Sequence, residues 1–100
     1  MKIKIGVTNY DVKTVPECMV VPQELCYGCC NSALAEIKIS EDIDDDSKIR
    51  VFFHEITHAM LDEMGSEHSY DENFVEGLSR QIYGAFTNNN LKKICEQLCK

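Results

Sequence analysis

The sequence predicts one α+β domain across residues 1–100. Apolar and polar residues alternate near the N-terminus, and from Lys48 onward the apolar ones recur at helical spacing. A chain of 100 residues buries only a modest core, which leaves room for one site. Seventeen acidic against ten basic side chains give a net charge of −7, which repels phosphate and argues against nucleic acid as a partner. No apolar run is long enough for a bilayer, so no membrane partner is expected either.

Residues 2 to 7 set Ile3, Ile5 and Val7 on one face of a strand. That alternation lacks the uninterrupted apolar stretch and small-residue cleavage site of a secretion signal, so the expected compartment is the cytoplasm. Thr8-Asn9 reads as a turn, Tyr10 to Val15 as a second extended stretch ending at Pro16, and residues 16–33, with Pro22 and four cysteines, as mostly loop. Residues 34–40 alternate again, with Ala35, Ile37 and Ile39 on one side and Glu36 and Lys38 on the other, which predicts an edge strand with its charged face outward.

Five acids between Glu41 and Asp46 complement the positive end of a helix predicted over about 48–64, which Asp46 or Ser47 can cap. They do not make a calcium loop, because Ser47 stands where the glycine is required and Phe53 where the bidentate glutamate is required. The helix has Ile49, Phe52, Phe53, Ile56 and Met60 as its apolar stripe and stops at Gly65. Ser69-Tyr70-Asp71-Glu72 reads as a capping box opening a second helix over about 70–86, with Phe74, Val75, Leu78, Ile82 and Ala85 as its stripe. Asn88 to Asn90 break it. A short C-terminal helix over about 91–99 follows, capped by Asn90 and lined by Leu91, Ile94, Cys95, Leu98 and Cys99.

The first helix contains His54-Glu55-Ile56-Thr57-His58, the pattern H-E-x-x-H. At 3.6 residues per turn, side chains four apart lie about 40° from each other around the axis, so both imidazoles can reach one tetrahedral Zn²⁺. Glu55 then sits beside the open coordination position, able to take a proton from water. With average residue usage the pattern arises by chance in fewer than about one chain in a hundred of this length. The core stripe lies to one side of the histidines, with Val51 and Leu61 flanking them.

A third ligand has three candidates. His68 does not complete H-E-x-x-H-x-x-G-x-x-H, because Leu61 and Met64 occupy the glycine and last-histidine positions. Glu72 is committed to the expected capping box, whereas Glu76, one turn further, is free apart from an i, i+4 pairing with Arg80.

His54 to Ala59, followed by Glu76-Gly77-Leu78-Ser79-Arg80-Gln81-Ile82-Tyr83-Gly84, resembles the gluzincin branch of the zincin metallopeptidases over roughly residues 34–86. The resemblance implies a minimal zincin-like fold with one catalytic Zn²⁺ held by His54, His58 and Glu76, and Glu55 as general base. It also implies that the strand at 34–40 is the rim along which a peptide or protein substrate docks. The chain departs from the pattern at Val75, where asparagine is common, and at Arg80, near where an acidic residue is common. In motif and size it is similar to compact intracellular metallopeptidase-like proteins of bacteria and phages, among them the ImmA/IrrE group, which adds a regulatory protein partner to the expectations. Tyr83, on the same helix face as Glu76, and His68 are the candidates for stabilising the oxyanion. The expected activity is zinc-dependent peptide-bond hydrolysis; the alternative is a non-catalytic zinc-binding interaction or regulatory module on the same scaffold.

Six cysteines, Cys18, Cys26, Cys29, Cys30, Cys95 and Cys99, admit three states. They can be reduced core or loop thiols, disulfides, or a second metal site joining Cys26-x-x-Cys29 to Cys95 and Cys99. The apolar stripe of the last helix favours Cys95 and Cys99 as core thiols.

Overall fold

A computed structural model describes residues 1–20 and 26–100. β1 (Lys2–Ile5) and β2 (Thr8–Val15) pair antiparallel, with Ile5 opposite Thr8 and Lys4 opposite Asn9. The connection is Gly6-Val7, with Gly6 at φ 60°, as in a two-residue hairpin loop with glycine first. The turn therefore falls two residues before the expected Thr8-Asn9, at the residue that reaches positive φ without a Cβ penalty. Val7 is exposed at its tip.

β3 (Gly28–Asn31) and β4 (Glu36–Ser40) complete a four-stranded sheet in the order β1-β2-β4-β3, with β4 parallel to β2 and antiparallel to β3. Two expectations change here. The segment expected to be mostly loop contributes a short 3-10 turn at Glu17–Met19 and the edge strand β3; Pro22 and its neighbours at 21–25 lie outside the described residues. The strand expected at the edge over 34–40 is interior and begins at Glu36, because Ala35 stands at φ 50° in the left-handed region. Its charged face lies opposite the one that enters the core, and there Lys13 Nζ on β2 reaches Glu36 Oε2 at 2.8 Å. Cross-strand pairing satisfies those charges as well as an edge would.

α1 (Asp45–Glu63) starts three residues earlier than expected because Asp44 is the cap, accepting the Ser47 backbone N–H at 3.2 Å and its hydroxyl at 2.6 Å. It ends at Met64, before Gly65 at φ 65°. Ile56 and Ala59 pack on Ile5, Tyr10, Val12, Ile37 and Ile39 of the sheet, which form the core. On its other side α1 meets α2 (Glu72–Asn88), where the Phe53 ring lies 5.4 Å from Tyr83 and 6.1 Å from Phe86. A helix packed from two sides has no single buried stripe: Leu61, which flanks the histidines and is not in the expected stripe, is buried, and Ile49, which is in it, is exposed.

α2 begins at Glu72, with Asp71 as its cap accepting the Phe74 N–H at 3.1 Å. The expected Ser69–Glu72 capping box does not form. Of the expected stripe, Val75 is buried, while Phe74 is exposed and stacked on the His68 ring at 4.4 Å. α3 (Leu91–Leu98) is capped by Asn90 as expected, through the Lys93 N–H at 3.0 Å, yet it buries none of its residues. Cys95 and Cys99 are exposed, which corrects their expected place in the core. Among the described residues no helix is long and apolar enough to cross a membrane.

Candidate metal centre

His54 and His58 project from successive turns of α1 toward the N-terminal turn of α2. His58 Nε2 lies 3.1 Å from Glu72 Oε1, and His54 Nε2 lies 3.1 Å from Glu72 Oε2. The opposite nitrogens are held by other groups: His58 Nδ1–H donates to the Ser69 carbonyl at 2.7 Å, and His54 Nδ1–H to Glu76 Oε2 at 2.8 Å. Glu76 is itself held by the Arg80 Nε–H at 3.1 Å.

This arrangement places each ring's lone pair. A neutral imidazole that donates from Nδ1 presents Nε2 as an acceptor, and both Nε2 atoms face carboxylate oxygens, which also only accept. Two acceptors at 3.1 Å need a proton or a cation between them. One donor atom from each of His54, His58 and Glu72 lies within 4.8 Å of the others, so the three can hold a metal ion. Ligands at about 2.1 Å around a tetrahedral ion are separated by about 3.4 Å, close to the observed spacing.

The expected third ligand, Glu76, is therefore turned to the far nitrogen of His54, where a carboxylate fixes the tautomer and ring orientation. Glu72 takes its expected place because the helix is capped one residue before it, leaving its carboxylate unengaged by the backbone. The sequence carried that signal in Asp71, as good a cap as Ser69. The expected Glu76–Arg80 pair is present.

Glu55 is 7% exposed, and burial pushes its carboxyl up from the usual carboxylate range; the Glu72 charge adds to the shift, while His54 and His58 oppose it. It lies against the edge strand at Gly28. A Cβ there would stand 2.4 Å from Val51 Cγ1 and 3.0 Å from Glu55 Oε2, so glycine is what lets α1 approach β3 this closely. Nothing in the sequence reading singled out Gly28.

A cleft of about 990 Å³ opens over the site between β3, the loop before α1, and α2. Tyr83 lines it, and His68 does not. Cys26, two residues before β3, lines it. The Cys30 thiol is pushed up to about 12, first by burial and then by the nearby Glu55. Among the described residues, His54, His58 and Glu72 form the one such group suited to a metal, so the second site suggested for Cys26, Cys29, Cys95 and Cys99 is not formed there. No family model, curated protein or solved structure matches this chain.

Proposed function

We propose that this protein is a zinc-dependent metallopeptidase of zincin type, with His54, His58 and Glu72 holding the ion and Glu55 as general base. The observation that carries the reading is the convergence of two Nε2 atoms and one carboxylate beside a buried glutamate. Two nitrogens and an oxygen suit zinc, and three protein ligands leave one position open for chemistry. When bound, zinc polarises a peptide carbonyl and makes water a nucleophile near neutral pH.

The chain's own residues supply the rest. Glu55, its proton affinity raised by burial, accepts the proton of the attacking water and passes it to the leaving amine. Glu76 and the Ser69 carbonyl keep both rings in the Nδ1–H tautomer. Tyr83, which lines the cleft, supplies the hydroxyl donor for the oxyanion. The free side of β3, in place of the strand first expected, is the rim for an extended peptide. The reading keeps the protein in the cytoplasm, where the exposed Cys95 and Cys99 stay reduced.

A zinc-binding regulatory module without hydrolysis would use the same three ligands but leave Glu55 idle, and a buried carboxylate with no task is a cost to folding. Metal analysis and peptidase profiling test the choice. The purified protein is expected to carry one zinc per chain and to cleave peptides, with Glu55→Gln keeping the zinc and losing the cleavage. Absence of zinc at neutral pH sinks both readings; equal activity in the two proteins, or none in either, leaves only the module.

A further inference from the structure

α1 and α2 run antiparallel, and their facing residues form rungs four positions apart. His58 lies across from Glu72 at 3.1 Å and His54 across from Glu76 at 2.8 Å. One turn further along both helices come Arg50 and Arg80, each lining the cleft. Acid faces base at the first two rungs. The third brings two cations to one groove.

Each arginine has an acidic neighbour: Glu76 pairs with Arg80, and the Asp44 charge acts on Arg50 over a longer range. Among the described residues no carboxylate lies within 4.0 Å of Arg50. Arg80 gives its Nε–H to Glu76, which leaves both terminal amino groups of a 76% exposed side chain. The acids on the facing lip make their hydrogen bonds elsewhere, Asp42 with the Glu17 N–H at 2.9 Å and Asp44 with Ser47, and neither is in direct contact with an arginine, although the Asp44 charge still acts on Arg50. The terminal amino groups of Arg80 and the whole guanidinium of Arg50 have no carboxylate in contact, and guanidinium groups bind carboxylates through a planar fork of donors.

We propose that Arg50 and Arg80 form a carboxylate-binding subsite, one helical turn from the metal centre, that selects peptides bearing a carboxylate near the bond to be cut. The proposal rests on the metallopeptidase reading for its setting. Four residues rise about 6 Å along the helix axis, and an extended peptide advances about 3.3 Å per residue. The recognised carboxylate therefore lies about two residues from the scissile carbonyl. A free C-terminus and an acidic side chain present the same chemistry.

Binding of uncut peptides by zinc-loaded Glu55→Gln protein tests it, using one pentapeptide sequence in four forms: free C-terminal acid, C-terminal amide, and amides with an internal Glu or an internal Gln. The acid, or the Glu peptide, is expected to bind about tenfold more tightly than its neutral match, and which of them does so identifies the source of the carboxylate. Arg50→Gln, made in the same protein, is expected to abolish the preference while zinc content holds at one per chain, because Arg50 touches none of the metal's ligands. Arg80→Lys keeps the charge but not the fork and is expected to retain only part of the preference. Equal binding of all four peptides overturns the subsite, as does a preference that survives Arg50→Gln and Arg80→Gln together. If the protein takes up no zinc, the same titration of metal-free wild type separates the two ideas: a surviving preference supports the arginine pair and discards the metal reading, and its absence discards both.

Discussion

α1 and α3 make opposite use of their apolar residues. α3 has a clean apolar face of Leu91, Ile94 and Leu98, and buries none of it; Leu98 is 78% exposed. α1 has a blurred pattern, yet it provides the helical half of the core and both histidines. The blur is a consequence of position, since a helix held between a sheet and a second helix buries residues around much of its circumference, including Glu55 and Thr57. Periodicity reports that a helix has a face. Whether anything covers that face depends on where the chain carries it.

The largest effect that sharpens this contrast is at the metal. Glu72→Gln is expected to lower zinc affinity by more than about a hundredfold, measured by competition with a chromophoric chelator, because it removes a ligand. Glu76→Gln, which releases only the far nitrogen of His54, is expected to cost about ten- to a hundredfold. The reverse order would return Glu76 to the ligand set.

Gly28→Ala probes the approach of α1 to the sheet. With its Cβ meeting Val51 at 2.4 Å, the substitution is expected to cost about 1–3 kcal/mol in urea unfolding, and to displace Glu55 enough to reduce turnover of any peptide the wild type cleaves. Wild-type stability would show that the strand and helix separate freely.

Thiol chemistry reads the same contrast more gently. At pH 8 a thiol titrating at about 12 is ionised in about one molecule in ten thousand, so mass spectrometry of partly alkylated protein should show label on Cys95 and Cys99 well before Cys30. Because the folded-state value lies above the ordinary 9.0, the Cys30 contribution to stability is complete below pH 9 and is lost as pH rises toward 12. Early labelling of Cys30 would place it outside the packed half. Smallest of all, Leu98→Ser on the uncovered face of α3 is expected to change unfolding free energy by no more than about 0.5 kcal/mol. A larger loss would mean that α3 is covered in solution.

Much of this was legible in the chain itself. The α+β order, the helix carrying His54, Glu55 and His58, the cap at Asn90, the inward set of Ile37 and Ile39, and the Glu76–Arg80 pair all follow from spacing within a few residues, and the structure retains them. The residues misread were those whose role depends on a distant partner. β3 is a strand because β4 lies beside it, not because Gly-Cys-Cys-Asn alternates. β4 is interior because β2 pairs with it in parallel, a fact no local pattern encodes. Which of Glu72 and Glu76 faces both Nε2 atoms follows the helix start, whose cap was chosen from two near-equal residues, Ser69 and Asp71. Sequence alone determined which side chains could do chemistry, since helical geometry sets the spacing of His54 and His58. Tertiary packing decided which carboxylate meets them, because that contact is made between helices, where a shift of one turn replaces one glutamate with the other.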